Sequence, residues 1–280
     1  MTNKGTSNFL SVNALSKYYY KRKHIFSREK LVTAAVNNVS FTMDSGMILG
    51  LVGESGSGKT TLAMMLMGLI KPSSGQILFE NTVIGTPQTQ HVYKQDLRMI
   101  FQDPYSSLNP RKTILDNISH HLLYHRFITT REEQMAIAEK VMEKVGLSQD
   151  ILSQYPHQLS GGMLQRVSIG RAIIGNAKLI VCDEIVSALD LSLQAQFLNM
   201  LKHLQHELKL GYLFISHDLS VVSHFCSHVL IMYKGQIVES GATQVVFDNP
   251  KNEYTKMLLK AQPATHPKNS LIRKTYSCVG

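Results

Sequence analysis

Short continuous apolar runs alternate along the chain with one stretch of helical periodicity. Residues 47–52 and 179–182 are apolar at nearly every position, which predicts central parallel strands buried on both faces. Residues 62–70 follow the first run as an apolar helical stretch. A further amphipathic helix is predicted from the capping box Thr130-Arg-Glu-Glu133 to Gly146, and one face of it is lined by Met135, Ala138, Met142 and Val145. This order of elements predicts an α/β fold with a helical insertion between the two central strands.

The first predicted strand runs into a glycine-rich loop of sequence GESGSGKT, residues 53–60. It matches the GxxxxGK[ST] pattern in its required place, between a strand and a helix. Glycines let successive backbone N–H groups converge on phosphate oxygens, and the next helix presents its positive end to the same anion. Lys59 is placed to reach the β and γ phosphates, and Thr60 to offer a hydroxyl to Mg²⁺. The predicted nucleotide contacts from this segment are Gly53, Ser55, Gly56, Ser57, Gly58, Lys59, Thr60 and Thr61.

The second predicted strand ends in two carboxylates, Asp183 and Glu184. Ligands of parallel sheets bind at the carboxyl ends of the strands, so Asp183 and Glu184 lie where a bound ligand is expected. Adjacent residues of a strand point to opposite sides, which lets one carboxylate face a metal and its neighbour face the attacking water. We therefore assign Asp183 to Mg²⁺ and Glu184 to the general base.

A second device for binding an anion follows the insertion, at Ser160-Gly161-Gly162. Ser160 is predicted to cap a helix whose first turn carries no side chain that would block an anion. Two phosphate-binding devices in one chain make sense if this helix end closes on nucleotide held by another subunit.

Composition and charge exclude several classes of protein. With 44% hydrophobic and 18% charged residues, the 280-residue chain is globular, and three cysteines without CxxC spacing indicate neither a disulfide framework nor a zinc site. The longest apolar run is far shorter than the roughly 20 residues that cross a bilayer, and residues 1–10 are too polar for a signal peptide, so we expect a cytosolic chain. The net charge of +9 is concentrated in residues 17–30 and 251–280. Since the remaining chain is near neutral, we expect no nucleic-acid partner, but an anionic membrane surface or an acidic protein.

The motifs so far, in this order and together with Gln102, Ser187-Ala-Leu-Asp190 and His217, resemble the ATPase subunits of ABC transporters over about residues 10–260. The resemblance implies a P-loop NTPase (RecA-like) ABC ATPase core of mostly parallel strands with an N-terminal antiparallel β part. It also implies a helical insertion subdomain at about residues 105–165, an ATPase domain over residues 1–245 and a C-terminal tail over 246–280. Residues from about 262 onward are expected to be poorly ordered without a partner.

The resemblance further implies roles for individual residues and the cofactors ATP and Mg²⁺. Gln102 would touch Mg²⁺ and the attacking water and relay the nucleotide state towards membrane subunits, while His217 would hydrogen-bond the γ-phosphate. The catalytic set is therefore Lys59, Gln102, Glu184 and His217, and the metal set is Thr60, Gln102 and Asp183. Across a dimer interface, Asp190 and the Ser160, Gly161 and Gly162 element would complete the partner's ATP site. One of Tyr18, Tyr19 and Tyr20 would stack on adenine, and Tyr19 fits the spacing best.

Further segments resemble bacterial peptide and nickel importers: residues 101–111, 187–196 and 249–255, and a basic insertion between Tyr20 and Val36 that is similar to the second ATPase of such systems. This implies a second ABC ATPase as partner, with two copies of this chain pairing in isolation, two transmembrane permease subunits, and a solute-binding protein contacted indirectly. The location implied is peripheral, at the cytoplasmic face of the cell membrane. Short peptides lead among the cargos, followed by nickel or a metal complex and by antimicrobial peptides.

Two readings of other classes stay open. A soluble ABC ATPase of DNA repair or translation usually has two cassettes or a long coiled coil, and neither is present in this sequence. An unrelated P-loop kinase or GTPase would lack the Ser160 to Gly162 element.

Some positions depart from the common pattern. Met163 stands where Gln is commonest, and Ile185 replaces the usual Pro after Glu184. Cys278 has no neighbouring cysteines, so no iron–sulfur centre is inferred. His121 with His125, and His224 with His228, have a spacing of four, which we interpret as helix faces and not as metal sites because no third ligand is placed.

Overall fold

The structure is a computed structural model that describes residues 9–21, 30–86, 89, 95–124, 130–187 and 189–261. Most of the basic insertion, His125, and the end of the chain with Cys278 lie outside the described residues, so the expectations made for them are not addressed.

A six-stranded sheet forms the centre of the fold, in the order β10-β9-β3-β8-β7-β6. Its members are β3 (Ile48–Val52), β6 (Leu97–Ile100), β7 (Leu179–Asp183), β8 (Gly211–Ser216), β9 (His228–Tyr233) and β10 (Gln236–Ala242). All neighbouring pairs are parallel except β9 and β10, which form an antiparallel hairpin. Every residue of β3 and β7 is buried, as their continuous apolar runs predicted.

A four-stranded antiparallel sheet has the order β2-β1-β4-β5. It contains β1 (Leu10–Lys21), β2 (Lys30–Met43), β4 (Ser74–Phe79) and β5 (Thr82–Ile84), and register shifts interrupt the pairing of β1 with β2. The predicted fold class, a mostly parallel core with an antiparallel part near the N-terminus, is confirmed.

Eight α-helices lie in the described part of the chain: α1 (Lys59–Leu66), α2 (Ile114–Tyr124), α3 (Arg131–Lys144), α4 (Gly161–Ile173), α5 (Leu191–Leu208), α6 (Leu219–Phe225), α7 (Thr243–Asp248) and α8 (Glu253–Ala261). Two short 3₁₀ turns, Gln149–Ser153 and Pro156–Gln158, precede α4. Helix α1 ends at Leu66, before the apolar run does, because the chain turns at Gly68 with φ +65°. Helix α3 begins at the predicted capping box, where the Thr130 hydroxyl accepts the Glu133 N–H.

The central sheet separates two apolar layers. Leu49 and Leu51 of β3 join the layer under the antiparallel sheet and α1, while Ile48 and Val52 join the layer that also contains residues of α2, α3, α4 and α5. Alternation along a strand that is buried on both faces accounts for this division. Helices α2 and α3 fall between β6 and β7, and the division into domains at residues 105–165 and 245 stays a prediction.

The expectation that His224 and His228 share a helix face is wrong. His224 lies in α6, but α6 ends at Phe225 and His228 is the first residue of β9, since Cys226 has already taken an extended conformation. Among the described residues, no group of three or more His, Cys, Asp or Glu side chains is arranged to hold a metal ion.

Candidate functional site

The predicted phosphate loop connects β3 to α1, and the backbone around it leaves no room for side chains at two of its glycines. A Cβ atom at Gly53 would lie 2.1 Å from the Met232 carbonyl oxygen, and one at Gly58 would lie 2.1 Å from that of Ala35. Gly58 also has φ +109°, which only glycine adopts at little cost. Ser55, Gly56 and Ser57 form the turn between them, and Thr60 and Thr61 lie in the first turn of α1.

Lys59 is only 5% exposed and bends back over the loop. Its Nζ donates hydrogen bonds to the carbonyl oxygens of Gly53 at 2.7 Å and Glu54 at 2.8 Å. Burial lowers the pKa of Lys59, although the charges of Glu184, Asp183 and Glu54 oppose that shift. A buried ammonium with two neutral acceptors is a site that an anion stabilises.

An unpartnered polar atom lies in the same loop. Ser57 is buried, and its Oγ has no hydrogen-bond partner among the described residues. Buried hydroxyls are normally paired, so the Ser57 hydroxyl is an unused hydrogen-bonding group at the loop.

Thr60 and Asp183 bring two oxygen donors together beside the loop. The Thr60 hydroxyl donates to Asp183 Oδ1 at 3.5 Å, and Asp183 is 7% exposed. Burial raises the pKa of Asp183, and the Thr60 hydrogen bond partly offsets this. A hydroxyl and a carboxylate are the hard oxygen ligands that Mg²⁺ takes, so this donor set fits the metal implied by the sequence.

Glu184 is placed by a turn and not by alternation along a strand. Strand β7 ends at Asp183, and Glu184 has φ +51°, a left-handed conformation that is uncommon for a residue with a side chain. Two hydrogen bonds hold this turn, from the Glu184 N–H to the Ile215 carbonyl and from the Ser187 hydroxyl to the Glu184 carbonyl. The strand-based reason for separating the two carboxylates is therefore wrong, although their side chains do occupy different surroundings.

The Glu184 carboxylate meets two other predicted site residues. Gln102 Nε2 donates to Glu184 Oε2 at 3.4 Å, and His217 Nδ1 lies 3.5 Å from the same oxygen. Gln102 follows β6, Glu184 follows β7 and His217 follows β8. Because these strands are parallel, their carboxyl ends form one edge of the sheet, and the loop after β3 lies at that edge as well.

The Ser160 and Asp190 elements are built as helix caps. The Ser160 hydroxyl accepts the Met163 N–H at 3.3 Å, and Asp190 Oδ1 accepts the Leu193 N–H at 2.9 Å. Added Cβ atoms at Gly161 and Gly162 would meet nothing within 4 Å. Packing among the described residues therefore gives no reason for glycine at either position.

The three tyrosines of β1 differ in their surroundings. Tyr18 donates its hydroxyl to Asn37 Oδ1 at 3.2 Å, whereas Tyr19 is 41% exposed with Lys17 Nζ 5.4 Å from its ring centroid. Tyr20 is exposed too. An exposed aromatic face at Tyr19 is open to stacking, and that role stays a prediction.

Sequence reasoning missed two contacts that the C-terminal half makes with the loop. The Tyr254 hydroxyl accepts the Glu54 N–H at 3.1 Å, and the Gly235 N–H donates to the Ser57 carbonyl at 2.9 Å. Tyr254 lies in the 249–255 segment already singled out, but nothing in its spacing pointed to the loop.

A glycine loop at the end of the central parallel strand β3, a buried lysine over it, and carboxylates at the end of β7, which β8 separates from β3, define a P-loop nucleoside triphosphatase. The family model described as ABC transporter matches residues 36–187. The chain therefore belongs to the ABC transporter family, as an ATP-binding and ATP-hydrolysing component.

Similar proteins of the same family align with nearly the whole chain. The oligopeptide transport ATP-binding protein AppF of Bacillus subtilis is 41% identical over 277 residues, covering 98% of this chain and 84% of that protein. OppF of Lactococcus lactis, also an oligopeptide transport ATP-binding protein, is 45% identical over 92% of this chain and 81% of its own length. The dipeptide transport ATP-binding protein DppF of Escherichia coli is 41% identical over 90% of this chain and 76% of its own.

Solved structures agree on the fold. CbiO1 of Clostridium perfringens, part of the transporter complex cbiONQ, superposes with a TM-score of 0.74 at 23% identity over 87% of this chain and 92% of its own. A dimeric ATP-binding cassette in a post-hydrolysis state with bound ADP and Pi gives 0.73 at 25% identity over 84% of this chain and 98% of its own. No helix in the described part of the present chain is long and apolar enough to span a membrane.

Proposed function

We propose that the chain is the ATP-hydrolysing subunit of a bacterial importer of oligopeptides or dipeptides. The observation that carries the cargo class is the 41–45% identity, over at least nine-tenths of the chain, to proteins named for oligopeptide or dipeptide transport. Nickel complexes and antimicrobial peptides are the alternative cargos, and the three relatives reported above are named for oligopeptide or dipeptide transport instead.

In this proposal the phosphates of ATP occupy the loop at residues 53–60. Lys59 exchanges the carbonyls of Gly53 and Glu54 for phosphate oxygens, and the unpartnered Ser57 hydroxyl gains a partner. Thr60, Asp183 and Gln102 hold Mg²⁺, which neutralises phosphate charge when bound. Tyr19 stacks on adenine, a contact worth about 1–3 kcal/mol when an aromatic side chain meets a base.

Glu184 acts as the general base for the attacking water. Its carboxylate is held between the Gln102 amide and the His217 ring, which fix its direction without covering it. His217 is then placed to hydrogen-bond the γ-phosphate beside it. Positioning of this kind, with charge stabilisation, supplies most of the acceleration of phosphoryl transfer.

A second ATPase subunit completes the site. The glycines at residues 161 and 162 leave the start of α4 bare, although no atom of the described residues comes close enough to need the space. A partner's γ-phosphate would use it, with Ser160 and Asp190 at the same interface. ATP then favours the closed pair because only the closed pair contacts it from both sides, and hydrolysis releases the pair.

Two permease subunits are the proposed membrane partners, and this chain would lie at the cytoplasmic face of the membrane against them. A cleft of about 570 Å³ lies between the end of α1, β6 and α2, and its apolar lining includes Leu69 and Phe101. Leu69 is 61% and Phe101 38% exposed, and Phe101 directly precedes Gln102. A permease helix in this cleft would sense the nucleotide through Gln102, and the solute-binding protein would be contacted only through the permeases.

The proposal is tested by purifying the tagged chain from detergent-solubilised membranes and identifying the proteins that copurify. A second ATPase together with two multispanning proteins is expected, and recovery of ribosomes or of no membrane protein would overturn the importer assignment. Uptake of a radiolabelled tripeptide and of ⁶³Ni²⁺, compared in cells with and without the gene, decides the cargo. Loss of nickel uptake alone would replace the peptide assignment.

A variant pair tests the permease cleft in the same assay. Leu69→Asp places a charge on its exposed apolar lining and is expected to reduce copurification of the permeases. Val245→Asp, an equally exposed apolar position on α7, is the matched control and is expected to copurify them normally.

A further inference from the structure

The peptide group that joins Gly53 and Glu54 is hydrogen-bonded at both ends. Its carbonyl oxygen accepts from Lys59 Nζ at 2.7 Å, and its N–H donates to the Tyr254 hydroxyl at 3.1 Å. A peptide group is planar and rigid, so fixing the N–H end also fixes the direction of the carbonyl. Tyr254 thus binds the N–H end of this peptide group, and Lys59 binds its carbonyl end. Tyr254 and Glu54 are 200 residues apart in the sequence.

Tyr254 is itself rigidly placed. It is 7% exposed, and its ring stacks on Tyr233 with centroids 4.1 Å apart and 29° between the planes. Tyr233 ends β9, and two residues later the Gly235 N–H donates to the Ser57 carbonyl of the loop. The stacked pair therefore connects α8 to the hairpin of β9 and β10, which is hydrogen-bonded to the loop at Ser57.

The start of α8 is anchored to the sheet by Glu239 of β10. Its carboxylate accepts the N–H of Lys251 at 2.7 Å and that of Asn252 at 3.1 Å, and Asn252 Oδ1 accepts the Tyr254 N–H at 2.9 Å. Burial alone would raise the pKa of Glu239, but the backbone donors of Lys251 and Asn252, together with the Thr255 side chain and the Lys251 charge, outweigh burial and hold that pKa below its usual value. An ionised carboxylate thus fixes the chain that carries Tyr254.

We propose that Tyr254 is a positioning residue for the phosphate-binding loop, through which helix α8 sets the affinity for ATP. The Tyr254 hydroxyl keeps the Gly53–Glu54 peptide group in the orientation in which its carbonyl oxygen binds Lys59. The Lys59 ammonium is thereby held over the loop, where the phosphates of ATP would bind. Without it, the first part of the loop must be ordered when ATP binds, and that ordering weakens binding. The inference rests on the proposed binding of ATP phosphates by residues 53–60.

The test compares Tyr254→Phe with Tyr212→Phe in the full chain. Tyr254→Phe removes the hydroxyl and keeps the stacked ring, while Tyr212→Phe removes a buried hydroxyl in β8 that has no hydrogen-bond partner among the described residues. Titration calorimetry with ATP and Mg²⁺ gives Kd, and steady-state hydrolysis gives KM and kcat. Loss of one hydrogen bond predicts a rise of about two- to tenfold in Kd and KM for Tyr254→Phe, with kcat within twofold. Tyr212→Phe is expected to bind like the unmodified chain, and equal Kd values for both variants would overturn the inference.

Glu239→Gln separates positioning from a general loss of stability. Glutamine keeps one acceptor oxygen and loses the other, so we expect a smaller rise in Kd, in the same direction. In the Tyr254→Phe background, Glu239→Gln is expected to change Kd no further, because the hydrogen bond between residue 254 and Glu54 is already absent. An equal effect in both backgrounds would contradict action through the hydroxyl.

Lys59→Ala in the same titration distinguishes the proposed binding of ATP by the loop from the proposed positioning role of Tyr254. Undiminished ATP binding by Lys59→Ala would refute the proposed role of the loop itself. If Lys59→Ala removes tight binding and Tyr254→Phe leaves Kd unchanged, only the inference about Tyr254 fails.

Discussion

The Glu184 carboxylate lies 3.5 Å from the imidazole Nδ1 of His217, although the two residues follow different strands of the central sheet. The approach depends on the left-handed turn at Glu184, which directs the side chain towards the end of β8 instead of continuing β7. A residue with a side chain adopts this conformation at a cost of about 1–2 kcal/mol. That cost is tolerated where the surrounding hydrogen bonds hold the turn, as those to Ile215 and from Ser187 do.

Glu184→Gln is expected to lower the rate of ATP hydrolysis by at least about 100-fold, because a general base is lost. ATP binding is expected to persist, since Lys59 and the loop are unchanged, and the ATP-bound variant should accumulate as a closed dimer. Phosphate release and size-exclusion chromatography with ATP measure the two effects. Hydrolysis at the unmodified rate would show that another group is the base.

Lys59→Ala is expected to weaken ATP binding by roughly tenfold to a hundredfold, the loss of a charged hydrogen bond. Lys178→Ala is a matched control because Lys178 pairs with Glu80 at the surface, away from the loop. Calorimetric titration with ATP measures both. Equal affinities for the two variants would contradict the role assigned to the buried lysine.

Gly162→Ala is expected to leave folding intact while impairing the dimer. A Cβ at this position meets nothing within 4 Å in the part of the chain that the structure describes, and alanine favours helix by up to about 1 kcal/mol over glycine, so the melting temperature should stay the same or rise. The added methyl group would instead meet the partner's nucleotide and reduce ATP-dependent dimerisation and hydrolysis. Thermal melting and analytical ultracentrifugation with ATP separate the two effects, and a variant that dimerises normally would argue against an interface here.

Asp183→Asn is expected to raise the Mg²⁺ concentration that gives half-maximal hydrolysis by about tenfold or more, because a charged oxygen ligand becomes neutral. The same change should raise the melting temperature of the nucleotide-free chain, since the burial that raises the pKa of Asp183 makes its charge costly to folding. Excess EDTA is expected to abolish hydrolysis by the unmodified chain. A half-maximal Mg²⁺ concentration that does not move would remove Asp183 from the metal set.

Those parts of the site that depend on local pattern were predictable from the sequence. The run that became β3 and the first four residues of β7 carry no polar side chain before the buried Asp183, and the loop between β3 and α1 has glycines at 53 and 58, where the backbone of Met232 and Ala35 approaches. Because parallel strands end at one sheet edge, the mostly parallel core implied by the family resemblance puts Gln102, Glu184 and His217 at the same edge, but it does not give the order of the strands.

The rest depends on contacts between distant segments. The left-handed turn at Glu184 is stabilised by Ile215 in a neighbouring strand, and no local signal marks it. The i,i+4 spacing of His224 and His228 looked helical, but tertiary pairing with Leu49 places His228 in a strand. Tyr254 reaches Glu54 only because β9, β10 and α8 pack beside the loop, and spacing along the chain does not encode that.

The strand order has a consequence for how the protein is synthesised. Strand β3 and the loop leave the ribosome early, yet β3 is flanked by β8 and β9, which begin at Gly211 and His228. A nascent chain that has not reached these strands has β3 without either neighbour, and the Gly235 and Tyr254 contacts with the loop follow later still. An unfinished polypeptide therefore carries the whole phosphate-binding sequence without the framework that shapes it, which delays ATP capture until nearly all of the described chain has been translated.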